Sequence, residues 1–351
     1  MFLKELCELN AVSGNEKPVR DYIIEQLKPH VDEYKIDKIG NLVVRKKCTA
    51  PCSSAGNAEH ERAPLVLLCA HMDEVGLFVT DITGEGYLKF TTVGGIDPKI
   101  LISKTVVCGN DNIPGVIGCK AVHLQKLEER KQTLNINDLY IDIGAGSKEE
   151  AEKNVKIGDY VAFAAEFARL ESGLYKAKAL DDRVGCALLM ETMAHRYPCD
   201  VVGAFTVQEE VGLRGSKVVS NYIQADLAIV LEATAARDIT EKREEEWIVE
   251  LGKGPACSLM DALTIYKPEL IAKVNELARK NNIPLQFRRG TAAANDAGKL
   301  HLAGSGIPLI TLSIPCRNIH SMNSLIAVQD YENCRTLVRL ILETCEQFRG
   351  L

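Results

Sequence analysis

Apolar and polar positions change period several times along the chain. Behind Ser13-Gly14-Asn15-Glu16, a run with capping chemistry, Val19, Tyr22, Ile23, Ile24 and Leu27 recur at near-helical spacing, so residues 1–29 predict a helical opening. Tyr34 to Arg45 then alternates, with a turn at Gly40 and Asn41, and predicts strand. Pro64 to Ala70 contains the unbroken run Leu65-Val66-Leu67-Leu68, the pattern of a strand buried on both faces. The polar, small-residue stretch Lys46 to Arg62 between them predicts an exposed hairpin loop.

From Phe78 to about Phe167 the texture is different. Short strand-like pieces are broken by glycines such as Gly84, Gly94, Gly95, Gly115 and Gly144, with one short helical candidate near Lys148 to Asn154. After Leu180, helical and buried-strand patterns alternate: Val184 to Arg196, Val201 to Val207, Leu227 to Leu231, Pro268 to Asn281, Leu309 to Ile314 and Tyr331 to Phe348. The two flanks share one texture and the middle does not. The expected fold class is therefore α/β, one domain of residues 1–76 and 168–351 with a mostly parallel sheet flanked by helices. A small β-rich, barrel-like module of residues 77–167 interrupts it.

Composition narrows the class. The chain has 351 residues, 42 Lys+Arg against 48 Asp+Glu, and 46% hydrophobic residues, which excludes a small stapled fold and allows a large core. No apolar run approaches the ~18 residues needed to cross a bilayer. Lys4, Glu5 and Glu8 interrupt the N-terminus where an export signal would be apolar, so neither membrane insertion nor export is expected. Without a basic block or an aromatic-interleaved basic stripe, nucleic acid is not an expected partner. The twelve cysteines are scattered, many in apolar segments, and read as reduced thiols of a cytoplasmic protein. Cys48 and Cys52 lack a second Cys/His pair at zinc-finger spacing and read as ordinary loop thiols.

Candidate chemistry lies where apolar strands end, the place where ligands collect in open α/β sheets. His71 and Asp73 follow the first buried run, two apart and on one side of an extended segment, so Asp73 is placed to orient His71. Asp181 and Asp182 precede an apolar helix, where two acids taken alone read first as a cap favoured by the helix dipole. Glu209 and Glu210 follow Ala204 to Val207. As neighbours in extended chain they point to opposite sides, which implies different tasks. Glu232 ends Leu227 to Leu231, and His320 follows Leu309 to Ile314. Each position has a bland reading as a solvated strand end or a cap. Together they supply two histidines, three metal-type carboxylates and a spare glutamate, the inventory for two divalent ions sharing a carboxylate.

His71-Met72-Asp73-Glu74-Val75-Gly76, Asp181-Asp182-Arg183, Gln208-Glu209-Glu210-Val211-Gly212 and Arg317-Asn318-Ile319-His320-Ser321 closely resemble the glutamyl/deblocking aminopeptidase family, whose members build tetrahedral (TET-type) shells. The likeness extends to Val12-Ser13-Gly14-Asn15-Glu16, Lys38-Ile39-Gly40-Asn41-Leu42 and Gly94-Gly95-Ile96-Asp97-Pro98.

This resemblance implies an aminopeptidase with two divalent ions per subunit, zinc or cobalt first and manganese also compatible. Asp181 would bridge, His71 and Glu232 would complete one ion, and Glu210 and His320 the other. Glu209 would be the general base and Asp73 the partner of His71. The same resemblance implies a cis Asp181–Asp182 peptide and an insert that forms a homodimer. Six dimers would close into a homododecamer that admits short peptides. Two departures are visible: the family more often has Asp at the place of Glu232, and Ala292-Ala293-Ala294 replaces a more typical stretch within Gly290 to Gly298.

Two other functions remain to be separated from this one. A glycoside hydrolase using Glu209 and Glu210 fits poorly, because adjacent residues do not flank a glycosidic bond and aromatics make up only 5% of the chain, with one Trp. A non-catalytic metal-bearing scaffold would have no use for the spare Glu209.

Overall fold

A computed structural model describes residues 2–48, 62–131, 134–238 and 248–351. Four parallel strands make the centre of a large mixed sheet, in the order Asp200–Thr206, Leu65–His71, Leu227–Ala235 and Leu309–Arg317. Their side chains are buried almost without interruption, which the continuous apolar runs require of strands covered on both faces. Antiparallel strands extend the sheet, Leu42–Lys46 and Glu33–Ile36 at one edge, Ser324–Ala327 and Leu174–Ala177 at the other.

Helices Lys17–Leu27, Leu180–Met193, Pro268–Lys280 and Val328–Glu343 pack apolar stripes against this sheet. Because the central strands run the same way, His71, Thr206, Glu232 and Arg317 come to one edge of the sheet. In register, His71 lies beside Thr206 and Glu232 beside Ser313.

The middle of the chain forms a closed barrel of six antiparallel strands: Gly76–Ile82, Leu88–Val93, Leu139–Asp142, Ile113–Cys119, Thr105–Cys108 and Tyr160–Phe163. Closure leaves no free sheet edge. Leu77, Val79, Leu88, Phe90, Ile117 and Ile141 fill its interior, a core separate from that of the α/β part.

Two expectations need correction. Leu42–Lys46 and Leu65–His71 do not form a hairpin, because Asp200–Thr206 lies between them, antiparallel to the first and parallel to the second. Residues 49–61 of that connection, Cys52 included, lie outside the described residues. The opening is two helices, Phe2–Glu8 and Lys17–Leu27, and Ser13 to Glu16 supplies no side-chain cap to the second, since Ser13 Oγ donates to Asp73 and Glu16 Oε1 accepts from Gln208 N. Eleven of the twelve cysteines are described, all reduced thiols and most of them buried.

A buried charge cluster fastens the sheet edge to the opening helices. Glu74 accepts from Lys178 Nζ at 2.6 and 2.7 Å and from the backbone of Ala11 at 2.9 Å, with Arg183 Nη2 at 3.5 Å. Lys178 also donates to Leu9 O, and Arg183 donates to Leu6 O and Met72 O. Removing one member of such a group strands its partners' charge without solvent. Glu74→Ala is therefore expected to cost about 3–5 kcal/mol of unfolding free energy, read by denaturant titration. A loss below about 1 kcal/mol, the scale of an exposed ion pair, would contradict this account.

Candidate metal centre

His71 and Glu232 are delivered by the ends of two central strands, and the other donors by chain reversals at the carboxyl edge of the sheet. Ala179, Gln208, Leu213, Asn318 and His320 all take left-handed backbone angles (φ 53° to 58°), a cluster of a kind that collects at functional sites. The Asp181–Asp182 peptide is cis, as the resemblance implies.

The two aspartates divide the two readings of their turn. Asp182 is fully buried, accepts from Gly185 N at 2.9 Å and His71 N at 3.2 Å, and so caps the helix that follows. Asp181 faces the cleft instead, with Oδ1 3.2 Å from His71 Nε2 and Oδ2 3.2 Å from His320 Nε2. Glu232 Oε1 stands 3.6 Å from His71 Nε2, and Glu210 Oε1 stands 3.3 Å from His320 Nε2. The structure thus brings His71, Asp181 and Glu232 together on one side and Asp181, Glu210 and His320 on the other. Glu209 lines the same cleft.

Both imidazoles are oriented from behind by backbone carbonyls. His71 Nδ1 is 3.0 Å from Asp73 O, and His320 Nδ1 is 2.9 Å from Gly95 O. A carbonyl only accepts, so each Nδ1 carries the hydrogen and each Nε2 is left for the cleft. The Asp73 carboxylate is farther from His71, at 3.4 Å. It accepts instead from Ser13 Oγ at 2.6 Å, Glu209 N at 3.0 Å and Glu210 N at 3.1 Å. Asp73 therefore holds the Glu209–Glu210 turn as well as facing His71.

Charge at this edge is badly unbalanced among the described residues. Burial drags both imidazole pKa values down, but the carboxylates outweigh it: Glu232, Asp181 and Asp73 hold His71 well above its usual value. Asp181 and Glu210 likewise push His320 up to about 11. Burial raises Glu232 to about 8 and Glu209 well above the usual carboxylate range. Asp181 goes the other way, because hydrogen bonds from His320 and His71 outweigh its burial.

Positive charge is demanded between the Nε2 atoms and the carboxylates. Glu210 Oε1 is buried with no aligned hydrogen-bond donor. Donor separations of 3.2–3.6 Å match the ~3.4 Å edge of a tetrahedron with ~2.1 Å metal–ligand bonds. The residues present fit divalent cations.

Several participants escaped the sequence reading. Gly95, read as a turn residue of the insert, supplies the carbonyl that orients His320. Asp296 is buried beneath the site, accepting from Thr206 Oγ1 at 2.5 Å. Arg288 lines the cleft, held by Thr234 Oγ1 at 3.0 Å and by Gly290 O. Ser13, Glu16 and Asn41 stood in segments already noted for cap and turn chemistry and for the family likeness, with no site role given to them.

A mixed sheet with a parallel centre gathers these donors at its carboxyl edge, beside an inserted closed barrel, and forms a candidate divalent-metal centre. The chain belongs to the M42 glutamyl aminopeptidase family, whose sequence profile matches residues 54–337. It is 36% identical over 348 residues to the putative aminopeptidase FrvX of Escherichia coli, covering 97% of this chain and 94% of that one. Among solved structures it resembles a TET aminopeptidase from a marine sediment archaeon, Thaumarchaeota archaeon SCGC AB-539-E09. There the TM-score is 0.90 at 34% identity, over 99% of this chain and 98% of the other.

It is also similar to the Pyrococcus horikoshii TET1 peptidase, described as able to assemble into a tetrahedron or a large octahedral shell. That match has a TM-score of 0.83 at 34% identity, over 97% of this chain and 98% of that one. The protein is accordingly an aminopeptidase, of a family that implies divalent metal ions.

Ions that bind only the folded chain stabilise it, by about 2.7 kcal/mol at a hundred times Kd. Exhaustive chelation is expected to lower Tm by several degrees, and zinc or cobalt to restore it. An unchanged Tm in protein shown to be metal-free would contradict the fit.

Proposed function

We propose that the chain removes N-terminal residues from short peptides at a dinuclear centre with Asp181 as the bridging ligand. The observation that carries this reading is the pair of Asp181 oxygens, each 3.2 Å from a different histidine Nε2. His71 and Glu232 would hold one ion, Glu210 and His320 the other. Asp182 also lies within reach of His71 and Glu232. Its carboxylate is occupied by two backbone amides, which favours Asp181 for the bridge.

Two divalent ions, zinc or cobalt first and manganese as a further choice, would acidify water and polarise the scissile carbonyl. Glu209 then takes a proton from the attacking water and returns it to the departing amine. The backbone on both sides of Glu209 is pinned by Asp73, so its carboxyl pivots on a fixed main chain.

The domain division proposed here is residues 1–76 and 168–351 for catalysis, with 77–167 as a dimerisation insert. Its support is the separate barrel core and the large apolar side chains the insert leaves exposed, Ile102, Val116, Leu124, Leu127 and Ile157. Dimers closing into a dodecamer would limit substrates to peptides that pass the shell's openings. The reduced thiols support a cytoplasmic location, and no helix of the described residues is long and apolar enough to cross a membrane.

Glu209→Gln is expected to keep the fold and both ions while lowering kcat roughly 10²–10⁴-fold. Near-normal turnover of an aminoacyl anilide would sink the base assignment. Light scattering with metal present should give a mass well above one chain of 38.5 kDa, falling when the ions are chelated. A monodisperse, fully active monomer would overturn the role given to the insert.

A further inference from the structure

Four consecutive backbone amides in the turn that carries Glu209 and Glu210 donate to side chains brought from elsewhere in the chain. Val207 N reaches Asn41 Oδ1 at 3.0 Å and Gln208 N reaches Glu16 Oε1 at 3.1 Å. Glu209 N and Glu210 N take the two oxygens of Asp73. Buried amides must find acceptors, and regular structure would supply carbonyls. Here side chains from three separate segments supply them, so those side chains dictate the path of the turn. Gln208 also sits at φ 55°, a conformation a non-glycine residue keeps only under external constraint.

None of the three acceptors lines the cleft. Glu16 is 4% exposed and Asn41 fully buried, and neither lines the cleft wall. Each is itself fixed. Glu16 Oε1 accepts from Gly14 N at 2.7 Å, and a Cβ on Gly14 would meet the Tyr160 hydroxyl of the barrel at 2.5 Å. Asn41 Nδ2 donates to Asp37 Oδ2 at 2.8 Å and Gly215 O at 3.0 Å. Ser13 Oγ closes the arrangement on Asp73. The opening segment is thus wedged between barrel and turn, although the helix after it takes no cap from Glu16.

We propose that Glu16 is a positioning residue for peptide hydrolysis: its carboxylate, with Asn41 beside it, fixes the Gln208–Glu210 turn so that Glu209 stands at the reacting atoms. Glu16 touches neither substrate nor ion. The inference rests on the reading of Glu209 as general base.

The test compares Glu16→Ala, which removes the acceptor, with Glu16→Gln, which keeps an acceptor oxygen. Ion content, amide exchange and anilide kinetics are measured on the metal-loaded protein. Glu16→Ala is expected to lower kcat roughly 10–100-fold, the scale of an ångström-sized misplacement, with KM and ion content near wild type. Amide exchange across residues 207–210 should accelerate, and Glu16→Gln should restore most of both. If Glu16→Ala does not fold, Glu16→Asp, which withdraws the same carboxylate by one methylene, is expected to show the same split between kcat and KM.

Wild-type kcat with unchanged exchange in the folded variant would overturn the proposal. So would a loss of kcat matched by an equal loss of ions, which marks a merely structural role. Glu209→Gln assayed alongside separates the two readings. Retained turnover there removes the base assignment, whereas a dead Glu209→Gln beside a fully active Glu16→Ala removes only the positioning role.

Discussion

Too many carboxylates meet at one end of this sheet to coexist without cations. Asp181, Glu209, Glu210 and Glu232 line a cleft with two imidazoles, and Asp73 lies directly behind. Burial makes every uncompensated charge expensive, and like charges at close range raise each other's proton affinity. Positive charge between the His Nε2 atoms and the carboxylates relieves this. Divalent ions, which the family implies, would supply more of it than imidazolium protons. The rest of the structure can be understood as the frame that keeps the acids from moving apart when that charge is absent.

The frame consists largely of side chains bonded to backbone. Asp73 and Glu16 between them accept from three amides of the Glu209–Glu210 turn, and Asn41 accepts from the amide before it. Beneath, Glu74, Lys178 and Arg183 join the end of the His71 strand to the first helix and to the helix that begins at the Asp181–Asp182 turn. Buried ion pairs are weak contributors to net stability but strong determinants of geometry once formed. Two of the three, Lys178 and Arg183, flank Asp181 in the chain, so that loss of the cluster would loosen the donors along with the fold.

The inserted barrel is less separate from the chemistry than its own core implies. Gly95 orients His320 through its carbonyl, and Tyr160 packs against Gly14 in the segment that reaches the turn. A partner subunit bound to the barrel would therefore act on a module that already touches one proposed ligand. Were the protein to assemble through the barrel, the Gly95–His320 contact would give assembly a physical route to the proposed ligand.

Unbroken apolar runs marked the buried parallel strands, since a strand covered on both faces has no polar face to show. An acid or histidine at the end of each run pointed to the carboxyl edge of the sheet, because chain direction alone sends those ends to one side. The glycine-broken middle likewise announced a module with a different architecture.

Tertiary structure decided what local pattern could not carry. Asp181 and Asp182 are adjacent and chemically identical, and only the positions of two distant histidines and the Gly185 amide make one a cleft donor and the other a cap. Ser13 and Glu16 have the composition of a helix cap, yet Ser13 Oγ donates to Asp73 and Glu16 Oε1 accepts from Gln208 N, and no cap bond forms. Gly95 enters the site through a carbonyl, which every residue possesses and no side-chain pattern reveals. Periodicity reports which face of an element is buried. The partner of a hydrogen bond between segments more than a hundred residues apart depends on how those elements pack, and that is set by the fold as a whole.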